Sequence, residues 1–190
     1  MNSIEAIAAA LIVVNVALVA RRSIWNYPFA IAAVAIYAVV FARARLYSDM
    51  LLQGFFLVVN LYGWVNWARI RAAAGDVLVE TLTPQTRALW AAGVIVAAAG
   101  WGTVMHRYTD ASYPWWDAGI AGASIAAQVL QARRRLESWW LWIAVDVASV
   151  PLYAAKGLWF TTALYLVLLA ISVAGLIDWR RARAVRMVMA

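Results

Sequence analysis

The sequence predicts an all-α integral membrane protein of seven transmembrane helices, and three observations carry that prediction. Of its 190 residues, 66% are hydrophobic and 13% are charged, whereas a soluble domain has about 45–50% apolar residues and about a quarter charged ones. The apolar residues form continuous stretches rather than the every-second-residue alternation of a membrane β-barrel. The basic residues behind the +7 net charge lie between those stretches, as membrane topology requires, rather than in a nucleic-acid-binding patch. With no Cys and so little charge, a disulfide scaffold and a disordered chain are excluded as well.

A helix crossing about 30 Å of hydrocarbon needs roughly 20 mostly apolar residues, and the chain holds seven such segments. The first, Ile4–Ala20, has no basic residue before its apolar run and Arg21-Arg22 directly after it, the pattern of a signal anchor inserted N-terminus out rather than a cleavable leader. The second, Tyr27–Ala42, is short and uses interfacial Trp and Tyr to reach the headgroups. The third is Ser48–Trp67, the fourth Ala88–Met105 and the fifth Trp116–Gln131; the sixth, Trp139–Ala154, is again short, and the seventh is Trp159–Asp178. Of the connectors only Ala68–Arg87, with Gly75-Asp76 and Thr83-Pro84, is long enough to be a real loop, and no room remains for a soluble domain.

Connectors on the C-terminal side of the membrane carry Arg21, Arg22, Arg69, Arg71, Arg87, Arg133, Arg134, Arg135, Arg180, Arg181, Arg183 and Arg186, twelve basic residues. The other side carries four, Arg43, Arg45, Arg107 and Lys156. This bias predicts a cytoplasmic C-terminus and an external N-terminus. Sliding the chain along itself by 112 residues then aligns Glu5 with Asp117, Arg21-Arg22 with Arg133-Arg134, Ile31 with Ile143, Leu46 with Leu158, Gly63 with Gly175 and Trp67 with Trp179. Over Glu5–Trp67, 14 of 63 aligned positions are identical. Three helices per repeat is an odd number, so a single linking helix is needed to make the halves parallel. The expected plan is 3+1+3: residues 1–70 as one three-helix bundle, 71–112 as loop and linking helix, and 113–190 as the second bundle with a basic cytoplasmic tail. Small residues on the linking helix, such as Gly100 and Gly102, permit close packing.

Polar side chains within membrane helices are costly and mark internal paths. Helical spacing puts Gln53, Asn60, Trp64 and Trp67 on one stripe of the third helix, and Asp117, Ser124, Gln128 and Gln131 on one stripe of the fifth. The sixth carries Trp142, Asp146, Ser149 and Tyr153, and the seventh Thr161, Thr162, Tyr165 and Ser172. Asp146 is the costliest, about 2.5–3.5 kcal/mol at a helix centre on insertion scales. Lys156, a cationic solute or a structural partner would each satisfy it. Asn60 and Gln128 suit either a solute or an interhelical hydrogen bond. Trp25, Trp90, Trp101, Trp115, Trp116 and Trp139 fit an aromatic belt at the membrane surface, whereas Trp64 fits a belt or a binding face. Aromatic faces beside carboxamides suit a flat, polar, ring-containing solute, a sugar among them, and a cationic ring gains cation–π attraction.

Other chemistries find no support in the sequence. His106, the single histidine, lies at an outer helix end, and no Ser–His–Asp set can be assembled around it. With no Cys and no carboxylate or His cluster at ligand spacing, neither a metal nor another cofactor is expected. No glycine-rich phosphate loop occurs, so neither ATP hydrolysis nor any other enzyme activity is predicted.

The stretch Tyr47-Ser48-Asp49-Met50-Leu51-Leu52-Gln53, followed by Asn60-Leu61-Tyr62-Gly63-Trp64-Val65-Asn66-Trp67, resembles the PnuC family of bacterial vitamin transporters. So do Glu137-Ser138-Trp139, Asp146, Pro151-Leu152-Tyr153, Lys156-Gly157-Leu158 and Leu164-Tyr165. The resemblance implies two three-helix bundles joined by one helix, similar in plan to the SWEET sugar facilitators, in a homotrimer of the bacterial inner membrane. It also implies facilitated diffusion of nicotinamide riboside, trapped by a phosphorylating cytoplasmic kinase; relatives carry thiamin, riboflavin or deoxynucleosides. Gln53, Asn60, Trp64, Trp67, Asp146, Tyr153, Lys156 and Tyr165 stand at family-motif positions, and helix faces add Gln128 and Trp142. These ten are the expected substrate-binding residues, in a uniporter whose rivals are a thiamin carrier of the same fold and a binding subunit driven by a separate ATP-dependent module.

Overall fold

A computed structural model of the chain describes residues 3–43, 47–109 and 113–189. Arg45 and Leu46, used above in the charge bias and the repeat, lie outside the described residues. Seven helices are described: α1 (Ser3–Ala20), α2 (Asn26–Arg43), α3 (Tyr47–Ala74), α4 (Pro84–Tyr108), α5 (Pro114–Ala132), α6 (Glu137–Ala155) and α7 (Trp159–Met189). On length and composition alone, Pro84–Tyr108 and Trp159–Val185 are long and apolar enough to cross a membrane, while Ala6–Ala20 and Asn26–Val40 are shorter apolar helices.

Two elements outrun the expected boundaries. α3 continues past Trp67 to Ala74 and α7 past Asp178 to Met189, because a sequence of Ala and Arg is strongly helix-forming whether or not lipid surrounds it. α3 stops at Gly75, which adopts φ +77° and donates its N–H to Arg71 O at 2.8 Å. Residue 71, the expected bundle boundary, therefore falls inside a helix, and the long loop shrinks to residues 75–83. α4 begins at Pro84, where the missing N–H costs nothing, capped by Thr83 Oγ1, which accepts from Thr86 N at 3.3 Å.

Neighbouring helices close a ring. α1 packs on α2, α2 on α3, α3 on α5, α5 on α6, α6 on α7, and α7 back on α1, while α4 packs on α5 alone. The ring is cinched at one end by an aromatic cluster in which Trp67, Trp139 and Trp179 are fully buried. The 112-residue offset recurs here in detail. Tyr27 meets Trp67 edge-on at 5.5 Å and 88°, and Trp139 meets Trp179 at 5.6 Å and 88°. Trp67 Nε1 donates to Gln131 O at 3.3 Å, and Trp179 Nε1 donates to Val19 O at 3.1 Å. Trp139, expected in the lipid-facing belt, is thus a core residue: its ring fills the space left by Gly175. Trp25, Trp101, Trp115 and Trp116 are exposed on the outer surface.

α1 and α5 end alike. Arg22 and Arg134 have φ 55° and 58°, with Arg22 N donating to Val19 O and Ser23 N to Leu18 O, and Arg134 N to Gln131 O and Arg135 N to Leu130 O. These are Schellman caps with Arg where Gly is usual. The arginine side chains explain the choice, since both reach loop 75–83: Arg22 pairs with Asp76 at 3.4 Å and Arg134 with Glu80 at 3.2 Å. Arg135 adds a 2.9 Å pair to Glu80. Backbone bonds Glu80 N to Arg134 O and Leu136 N to Glu80 O bind the loop further, and Val77 and Val79 bury their side chains in the aromatic cluster.

A Cβ added at Gly175 would sit 2.5 Å from the Trp139 ring, whereas one added at Gly100 would meet nothing within 4 Å. Gly175→Ala is therefore expected to destabilise by about 1–3 kcal/mol through overpacking. Gly100→Ala is expected to be neutral or stabilising, because Ala favours a helix by about 1 kcal/mol over Gly. Thermal unfolding of the detergent-solubilised variants checks the opposite signs.

Candidate functional site

The polar residues within the ring gather at its helix–helix seams. At the α3–α5 seam, Asn60 is buried and its Nδ2 donates to Phe56 O at 2.9 Å, leaving Oδ1 to accept from Gln128 Nε2 at 2.9 Å. The carboxamide pair thus joins two helices whose sequence positions are 68 residues apart. Gln53, two turns earlier on α3, is half-buried. Trp64, one turn later, is 38% exposed and stacks on Tyr27 with ring centroids 6.4 Å apart at 9°.

The α5–α6 and α6–α7 seams carry the remainder. Trp142 Nε1 donates to Gln131 Oε1, orienting an indole near the base of α6. Asp146, buried on α6, accepts from Ser172 Oγ of α7 at 2.9 Å. One helix face further along, Tyr153 and Tyr165 stack at 5.1 Å and 26°, with Tyr165 beside Ser149.

Two expectations need correcting. Lys156 is not the partner of Asp146: its Nζ lies 3.1 Å from Asp117, beyond the C-terminal end of α6, where both groups remain partly solvated and neither bears the cost of burial. Trp67 shares a helical stripe with Asn60, but it is fully buried between Tyr27 and Trp179 with its N–H engaged, so it serves the core rather than an open face. The remaining eight residues fall into two groups: Gln53, Asn60 and Trp64 along α3, with Gln128 meeting Asn60 from α5, and Trp142, Asp146 and Tyr153 along α6, with Tyr165 stacked on Tyr153 from α7. Tyr27 and Ser172 were not among the ten. The 112-residue offset was the signal that reaches them, since it pairs Tyr27 with Trp139, Asn60 with Ser172 and Gln53 with Tyr165. His106 lies exposed in the last turn of α4, its ring 6.3 Å from that of Trp115. Among the described residues no group of three or more His, Cys, Asp or Glu is placed to hold a metal ion.

Carboxamides both donate and accept, the carboxyl of Asp146 accepts, and the rings offer stacking faces. The set can bind a solute with a planar ring and hydroxyl groups. The sequence model of the nicotinamide mononucleotide transporter family matches residues 2–181. The chain belongs to this family. Membership implies a multi-pass protein of the inner membrane. The chain is 28% identical to the nicotinamide riboside transporter PnuC of Escherichia coli strain K12, over 94% of this chain and 85% of that one. It is 33% identical to the riboflavin/roseoflavin transporter RibM of Streptomyces davaonensis, over 87% and 79%. The crystal structure of the vitamin B3 transporter PnuC superposes with a TM-score of 0.76 at 27% identity, covering 95% of this chain and 82% of that one. The resemblance read from the motifs on α3 and α6 is therefore a family relationship.

Removing the Ser172 hydroxyl leaves the buried Asp146 carboxyl without its donor. Ser172→Ala is expected to destabilise by about 1–3 kcal/mol, and adding Asp146→Asn to recover most of that loss. Asp117→Asn, at the part-exposed pair with Lys156, is expected to cost less than about 1 kcal/mol. A double-mutant cycle on thermal unfolding measures both.

Proposed function

We propose that this protein is a uniporter for a vitamin nucleoside, with nicotinamide riboside as its first substrate, moving solute down its gradient by alternating access. The observation that carries the reading is the Asn60–Gln128 carboxamide pair across the α3–α5 seam, with the half-exposed Trp64 one turn away. In this reading the ring of the solute stacks on Trp64, backed by Tyr27. Asn60 and Gln128 exchange their mutual hydrogen bond for bonds to its carboxamide and hydroxyls, and Gln53 adds a further amide. Asp146 complements a positive ring or the ribose, while Trp142, Tyr153 and Tyr165 line the way along α6 and α7. The names of the PnuC relatives support this solute.

Seven spans in a 3+1+3 plan belong to the same proposal. Residues 1–70 and 113–190 form parallel halves, and the segment between them supplies a loop and the linking helix α4. The matching aromatic contacts at the 112-residue offset support it, as does the packing of α4 on α5 alone. The basic residues favour a cytoplasmic C-terminus. A homotrimer, with a cytoplasmic kinase that phosphorylates the arriving nucleoside, completes the reading. Riboflavin transport is the second reading, favoured by the RibM relative at 33% identity.

Purified protein reconstituted alone in liposomes is expected to take up labelled nicotinamide riboside without ATP or any partner. Uptake of riboflavin instead would select the second reading, and an ATP-dependent partner requirement would overturn uniport. Trp64→Ala, in protein that still folds, is expected to weaken binding by about tenfold or more, since stacking a base on an aromatic ring contributes about 1–3 kcal/mol. Asn60→Ala is expected to reduce binding in the same direction; unchanged binding and transport in both variants would remove the site assignment.

A further inference from the structure

A cavity of about 490 Å³ lies outside the polar seams, at the end of the ring where loop 75–83 sits. Three helices each present one face to it, at spacings of three and four residues. α4 contributes Arg87 and Trp90, α6 contributes Glu137 and Trp140, and α7 contributes Arg180 and Arg183. The gap exists because, among the described residues, the α4 backbone packs on α5 and reaches α6 through side chains such as Arg87. The charges in it do not balance. Arg87 pairs with Glu137 at 2.8 Å, and among the described residues no carboxylate lies within ion-pairing distance of Arg180 or Arg183. Arg180 instead sits 4.9 Å over the Trp140 ring. Beside Arg87 and Trp90, the outer face of α4 is apolar and open, with Leu89, Ile95 and Val96 about 70% exposed.

We propose that this groove binds the headgroup of an anionic phospholipid. Its phosphate would be met by Arg180 and Arg183, the two Trp rings would lie at headgroup level, and an acyl chain would run down the apolar face of α4. Basic pockets between membrane helices, bounded by interfacial Trp, have the chemistry such headgroups need: a phosphate is bound by guanidinium groups and its chains by apolar surface. A soluble phosphate ester would satisfy the arginines but leave the α4 surface unused. The proposal rests on the chain being a multi-pass membrane protein and is independent of which solute it carries.

The test is native mass spectrometry of the full chain in neutral detergent, titrated with phosphatidylglycerol or phosphatidylcholine and with no transport solute present. Phosphatidylglycerol is expected to be retained selectively. Each basic side chain near an anionic surface strengthens binding about fivefold, so R180Q/R183Q is expected to bind it about 25-fold more weakly. R181Q, which removes the same charge type from an exposed position outside the groove, is expected to bind like the parent. If the double variant does not purify as one species, R183Q alone is expected to bind about fivefold more weakly. Equal retention of phosphatidylcholine would overturn the proposal, as would equal loss in R181Q. Full displacement by an equal concentration of sn-glycerol 3-phosphate would overturn it in favour of a soluble phosphate ester.

Discussion

Two buried indole N–H groups bind the ring together. Trp67 on α3 donates to a carbonyl in the last turn of α5, and Trp179 on α7 donates to one in the last turn of α1. A helix ends with four carbonyls that have no partner within the helix; Gln131 O and Val19 O each accept one backbone N–H from the cap that follows, and the tryptophans add a second donor from another helix. In lipid, where apolar surface by itself drives little association, close packing and such hydrogen bonds hold helices together. Leaving a buried indole N–H unmade would cost about 1–3 kcal/mol. The bonds therefore couple the far ends of the chain, 160 residues apart for Trp179 and Val19, and fix which helices become neighbours.

The surrounding cluster follows from that constraint. The rings of Tyr27 and Trp139 can meet Trp67 and Trp179 edge-on only because Gly63 and Gly175 carry no side chain in their way. The α1 and α5 termini must then turn sharply just past the accepting carbonyls, and both do so with an arginine in the left-handed region. Glycine would relieve backbone strain there but lose the ion pairs to loop 75–83. The loop in turn inserts Val77 and Val79 into the same cluster. Core, caps and loop form one connected unit at one end of the ring, which leaves the polar seams further along the helices free of a structural load of that size.

Three hydrogen bonds cross those seams between side chains: Gln128 to Asn60, Ser172 to Asp146 and Trp142 to Gln131. Each is a bond between side chains rather than backbone, so it can be traded for a bond to a solute without unravelling a helix. That is the physical basis for reading the seams, and not the aromatic cluster, as the place where solute is handled. The cavity of about 490 Å³ lies elsewhere, among arginines and tryptophans at the ring's end, and its chemistry suits a headgroup rather than a stacked ring between carboxamides.

By itself the sequence determined the number and order of the helices, the family, and the stripe that contains Gln53, Asn60 and Trp64. Apolar run length, helical periodicity and the Asn60–Trp67 motif are all local properties, and local properties are readable along a chain. Where α3 and α7 end was not readable from hydropathy, because Arg- and Ala-rich turns stay helical after the apolar run is over. The partners were decided only by the tertiary structure: Lys156 to Asp117, Ser172 to Asp146, and Trp139 and Trp67 into the aromatic cluster. A residue's helix face restricts its direction, but what stands opposite depends on how the helices are ordered around the ring. That order is set by contacts between distant segments, 64 residues apart for Trp67 and Gln131 and 160 for Trp179 and Val19, and the 112-residue offset was the one trace of it that the sequence carried.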